Sequence, residues 1–135
     1  MRSVVEQGTT IRLARPTDNL RRNCEIYQKG LGFSVLASYD DDQGFDGIVL
    51  GNSGDSYHLK FTHHRGTLVG RAPSQDDVII FYIEDLKLWQ HGCNQTESAD
   101  FKKVASYNPH RDSRGLTYED VDGYRVVFQN ENWTV

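Results

Sequence analysis

The sequence predicts an α+β fold made of two tandem βαβββ units in a single domain of 135 residues. Three observations carry this. Phe33, Ala37, Ser38 and Tyr39 recur as Phe101, Ala105, Ser106 and Tyr107, each 68 positions further on. Asp55, Tyr57 and Phe61 recur as Asp122, Tyr124 and Phe128, 67 positions further on. Half of the chain is about that period, so one unit is written twice. The apolar spacing also switches in the same order in each half, from strand to helix to three strands. Finally, residues 64–76 contain Gly66, Gly70 and Pro73 and no periodic pattern, which marks a connection. The expected organisation over residues 1–135 is a first unit at 8–63, a linker at 64–76 and a second unit at 77–130.

Residues 9–15 alternate as a strand, with Ile11 and Leu13 on one face and Thr10, Arg12 and Ala14 on the other, and Pro16 stops them. Thr17 or Asp18 can cap a helix that carries Leu20, Cys24, Tyr27 and Leu31 on one stripe. Gly30 and Gly32 let the chain leave that helix, with Lys29 suited to its C-terminal end. Strands are expected at 33–39, 45–50 and 57–62, separated by the acidic turn Asp40–Gly44 and the turn at 51–54. In the second unit a strand spans 78–83, and Asp85 caps a helix with Leu86, Trp89 and Cys93 on its stripe. Three strands follow at 101–107, 116–119 and 124–129. Gly92 weakens the second helix by about 1 kcal/mol relative to alanine.

A chain of this length buries roughly two thirds of its extended surface and needs no staples. Its net charge of −4 argues against a nucleic-acid partner. The longest apolar run, residues 78–83, is far short of the ~20 residues that cross a bilayer. The N-terminus lacks the apolar stretch of a secretory signal, so the expected location is cytoplasmic. Cys24 and Cys93 fall on helix stripes and read as small buried thiols.

The doubled unit, the letters Tyr27, Gly30, Leu31, Gly32 and Phe33 at the first helix exit, and Glu119, Asp120, Asp122, Gly123 and Tyr124 before the last strand together resemble the vicinal oxygen chelate superfamily. This is the glyoxalase, bleomycin-resistance and extradiol dioxygenase group, and the likeness covers residues 9–130. The resemblance implies a cup-shaped mixed sheet whose cavity is lined by the first and fourth strands of each unit, with the helices outside. It also implies a homodimer, because relatives commonly pair units across chains. In the family's metalloenzymes each of those four strands supplies a ligand, and the equivalent positions here are Arg12, Lys60, Val78 and Val127. None can hold a metal, since guanidinium and ammonium offer no lone pair and valine has no polar atom. No metal and no other cofactor is therefore expected.

Strand alternation gives an independent reading of the same faces. If Ile11, Leu13, Leu59, Phe61, Ile79, Phe81, Tyr124, Val126 and Phe128 face the helices, then Arg12, Ala14, His58, Lys60, Thr62, Val78, Ile80, Tyr82, Arg125, Val127 and Gln129 face the cup. One side then carries cations and polar groups and the other is apolar, which suits an amphipathic, partly anionic organic ligand. Arg12 can grip a carboxylate or phosphate in a bidentate manner, with Lys60 beside it. The competing reading is that these cations pair with chain carboxylates such as Glu119 or Asp46. His58 is the candidate general acid or base. His63 and His64 end a strand, and cannot both join His58 in a zinc site because they point to opposite faces. His91 lies on an exposed helix side and His110 in a turn. Tyr82 is the aromatic wall, Tyr118 an ordinary strand aromatic, and Asp40 to Asp42 a solvated turn.

Two functions follow as expectations. One is a metal-independent small-molecule binding protein of the glyoxalase/bleomycin-resistance type, with its ligand between the repeats. The other is a lyase, isomerase or dioxygenase of the same superfamily, with displaced metal ligands or using His58.

Overall fold

The computed structural model describes residues 1–134. The first unit comprises β1 (Ile11–Pro16), α1 (Leu20–Leu31), β2 (Ser34–Asp42), β3 (Phe45–Gly51) and β4 (Tyr57–His64). The second comprises β5 (Val78–Tyr82), α2 (Leu86–Ser98), β6 (Lys102–Val104), a 3-10 turn (Pro109–Asp112), β7 (Gly115–Glu119) and β8 (Arg125–Gln129). Each unit forms its own four-stranded mixed sheet, in the orders β1-β4-β3-β2 and β5-β8-β7-β6. The first strand of each runs parallel to the fourth, and the remaining pairs are antiparallel. The chain is therefore α+β with tandem βαβββ units. Among the described residues, no helix is long and apolar enough to cross a membrane.

Several local details differ from the sequence reading. Asn19, not Thr17 or Asp18, is the N-cap of α1, and its side chain makes no cap bond. The Thr17 hydroxyl instead accepts from the Asn19 N–H, and Asp18 accepts from the N–H groups of Val69 and Gly70. Gly32 closes α1 in the left-handed conformation, φ 76°, which a side chain would resist. Strand β4 runs on through His63 and His64. His63 Nδ1 lies 3.0 Å from the Thr17 carbonyl, and the His64 ring stacks on Phe45 at 4.3 Å.

The largest difference is in the second unit. The echo of residues 33–39 promised a seven-residue strand at 101–107, but β6 has three residues. Beyond it the chain leaves the sheet: Asp112 accepts from the Ser106 N–H, and Pro109, which has no N–H to give a ladder, opens the 3-10 turn. Segment 105–114 then folds back over the sheet.

Both units share one core. Ile26 and Tyr27 of α1 and Cys93 of α2 pack with Leu59, Phe61, Tyr118, Val126 and Phe128. The Tyr27 ring sits 5.0 Å from Phe61 of its own unit and 5.0 Å from Phe101 of the other. Gly30 makes this approach possible, because a Cβ there would stand 2.9 Å from the Phe101 ring. The Gly30 carbonyl accepts from the side chains of Gln95 and Thr96 across the joint. Ile11 and Leu13 were expected against the helices, yet each is half exposed. Strand β1 is a sheet edge, and α1 rests on β3 and β4 rather than over it.

Candidate functional site

The face of each sheet that points away from the helices is the one that could hold a ligand. In the first unit it carries Arg12, Ala14, His58, Lys60 and Thr62, in register as Arg12 opposite His58 and Ala14 opposite Lys60. Arg12 is exposed, and no described carboxylate lies within ion-pair distance of it or of Lys60. The Lys60 ammonium sits 5.1 Å from the centre of the Tyr39 ring, a cation–π contact, and Tyr39 in turn packs against Gly47, where any side chain would collide with it. The carboxylates proposed as alternative partners are taken elsewhere. Asp46 binds Arg65 at 2.8 Å, while Glu119 binds Arg125 at 3.1 Å and Arg71 at 3.2 Å. His58 is half-buried beside Gly51, and its Nδ1 is buried without a hydrogen-bond partner.

In the second unit the corresponding face is partly filled by the chain itself. Val127 is fully buried and Arg125 is 5% exposed. Arg125 donates to Glu119 and to the Ala105 carbonyl, so this expected ligand donor acts as an internal tie holding down the segment that crosses it. Gln129 donates to the Arg111 carbonyl at 3.0 Å, and the hydroxyls of Ser106 and Thr117 meet. A cavity of about 400 Å³ remains open at the end of the face, lined by Ile80, Tyr82, His110, Arg111, Arg114 and Trp133 among others. Val78 and Ile80 are half-buried and Tyr82 is 43% exposed. Tyr118 is wholly buried on the opposite, helix-facing side.

The two faces belong to separate sheets. Among the described residues, none of the four cavities at the unit seam, beside α1, at the end of the second face and near Trp89 joins Arg12 or Lys60 to Val78, Ile80 or Val127. The donor set also fails a metal. Arg12, Lys60, Val78 and Val127 offer no ligand atom, and no three His, Cys, Asp or Glu side chains gather into a metal-holding group among the described residues. The residues present do not fit a divalent ion.

The joint between the units carries polar residues that the sequence reading gave no role. Asp122, 5% exposed, accepts from Thr17, Asn19 and Asn23 of the first unit. Asp120 accepts from Tyr27 at 2.6 Å and from the N–H groups of Asp122 and Tyr124. Burial pushes the Asp120 carboxyl above the ordinary carboxylate range, while Tyr27 and the Asp122 N–H pull it back. The Arg15 guanidinium lies 4.1 Å from the centre of the Tyr124 ring. The motif letters 119–124 were visible in the sequence, but their partners, about 100 residues away, were not. Likewise the sequence did not mark His110, Arg111 and Arg114, which the fold-back at 105 brings to the face, or Trp133, which follows β8.

Comparison with known proteins agrees with this geometry. Family models for the YycE-like N-terminal domain and the YycE-like C-terminal domain match residues 11–62 and 76–130. The chain belongs to the YycE-like family. It is 32% identical over 124 residues to the uncharacterized protein YycE of Bacillus subtilis strain 168, covering 92% of this chain and 89% of that protein. A crystal structure of a Bacillus subtilis YycE protein of unknown function superposes with a TM-score of 0.88 at 30% identity, over 99% of this chain and 98% of the other. More distant structures share the fold. Leishmania major glyoxalase I has a TM-score of 0.68 at 19% identity, over 89% of this chain and 84% of that one. TnmS3, an antibiotic binding protein from Streptomyces sp. CB03234, has 0.65 at 13%, over 97% and 100%. The YycE-like fold is thus a vicinal oxygen chelate fold, as the residues implied.

Proposed function

We propose that this chain is a metal-independent binding protein that holds an amphipathic, partly anionic organic molecule against its concave sheet faces. The observation that carries the reading is the pair Arg12 and Lys60: cations at two positions that the resemblance equates with metal ligands of vicinal oxygen chelate metalloenzymes, with no described carboxylate to neutralise them. Of the other two positions, half-buried Val78 supplies apolar surface instead, while Val127 is covered by the chain itself. In this reading Arg12 takes the anionic end in a bidentate grip, Lys60 adds a point charge, and His58 and Thr62 add short polar contacts. Ala14 leaves room beside them, and Val78, Ile80 and Tyr82 give the apolar wall that supplies most of the affinity.

Because the cationic and apolar faces lie on separate sheets, one chain presents half of each wall. A homodimer in which the first unit of one copy meets the second unit of the other completes the cup. The unpaired edge strand β1, with half-exposed Ile11 and Leu13, is the surface such a partner would cover. That a Streptomyces antibiotic binding protein shares the fold is consistent with binding without turnover.

The test is a thermal melt of metal-stripped protein with divalent ions, then with small carboxylates, phosphates and aromatic antibiotics. A ligand at 100 times its Kd adds roughly 2.7 kcal/mol. No ion should shift the melt, at least one organic anion should, and Arg12→Ala should abolish that shift with the fold intact. A clear shift with one metal, or full binding by Arg12→Ala, refutes the reading.

A further inference from the structure

A second cavity lies outside the concave faces, at the seam between the units. It has a volume of about 470 Å³ and is walled by the end of α1, the start of β4, the end of β5 and helix α2. Phe33, Tyr57 and Phe81 form part of its lining, with ring centroids 6.1 to 6.5 Å apart and planes inclined by 49 to 67°. Tilted rings of this kind offer both faces and edges to another aromatic ring.

Two independent features indicate an occupant. The first is Gly92, which lines the cavity from the middle of α2. Glycine is a poor choice inside a helix. No neighbour requires it there, since a Cβ at Gly92 would meet no atom within 4 Å. Gly30, on the opposite wall, is required by the Phe101 ring. What Gly92 preserves is open volume. The second feature is the polar lining. Asn52, His91 and Gln95 supply it along with the tyrosine hydroxyls, and no Lys, Arg, Asp or Glu contributes. One N–H of each amide is committed, that of Asn52 to Asp55 and that of Gln95 to the Gly30 carbonyl, each at 3.1 Å. Their amide oxygens are left as acceptors.

We propose that this seam is a binding site for an uncharged planar aromatic molecule bearing an N–H or O–H donor. The ring lies against Phe33, Tyr57 and Phe81, and its donor reaches Asn52 or Gln95. The chemistry differs from that of the concave faces, where free cations select an anion, so the two sites are independent proposals.

Indole is the probe, titrated into the full chain and followed by amide shifts in a 1H–15N spectrum. Saturable binding is expected, with shifts confined to residues 30–33, 52–57, 81–83 and 88–95. Gly92→Leu places a side chain in the cavity without breaking the helix, and should weaken binding at least tenfold. Leu88→Glu, at an exposed rim position, is the second variant should Gly92→Leu fail to fold. Naphthalene, which lacks the donor, should bind more weakly than indole, and Arg12→Ala should bind indole as the wild type does. Non-saturable or scattered shifts, wild-type affinity in both seam variants, or benzoate binding at the seam as well as indole overturns the proposal.

Discussion

Replacing Asp122 with alanine tests whether the buried polar joint holds the two units together. The carboxylate accepts from Thr17 and Asn23, both 1% exposed or less, and from the more exposed Asn19. Asn19 can turn to water, so its loss counts for little. Each buried donor to a charged acceptor is worth about 1.5–3 kcal/mol, which sets the cost of losing two at about 3–6 kcal/mol. Part returns, because Asn23 still donates to Thr17 and because Asp120 no longer faces a second carboxylate. A net loss of about 3–5 kcal/mol is expected, against a total stability of about 5–15 kcal/mol for a domain of this kind. Urea unfolding measures it, with the slope checked for two-state behaviour. A loss below 1 kcal/mol with an unchanged slope would mean that the apolar seam alone joins the units.

Tyr27→Phe removes the Asp120 donor and should cost about 1–3 kcal/mol at neutral pH. Asp120 has a raised folded-state pKa, so its contribution is greatest below the ordinary value of 3.8 and declines as pH rises through the raised value. In Tyr27→Phe that decline should extend to higher pH, because an influence that lowers the pKa is gone; unfolding at a series of pH values reads it. Two glycines should respond in opposite directions in thermal melts. Gly92→Ala should gain about 0.5–1 kcal/mol of helix stability, and Gly30→Ala should lose about 1–3 kcal/mol against the Phe101 ring. Gly47→Ala should push Tyr39 off its place beside Lys60, weakening binding of any organic anion that Arg12 also holds.

What the sequence by itself determined was local or periodic. The repeat set the order of elements, and alternation correctly placed Leu59, Phe61, Val126 and Phe128 toward the helices, because side-chain direction in a strand depends only on position. The Asp85 cap of α2 was legible for the same reason, since its carboxylate reaches only three residues ahead, to the Leu88 N–H. Tertiary structure decided whatever depends on groups distant in the chain. It shortened β6 by giving residues 105–114 better partners over the sheet than within it. It turned Arg125 from an expected ligand donor into a tie between Glu119 and Ala105, while leaving Arg12 and Lys60 without a carboxylate. It also set the cationic and apolar faces on separate sheets. The physical reason is that a charge is neutralised, or left free, by neighbours in space, and one strand's periodicity carries no record of what folds over it.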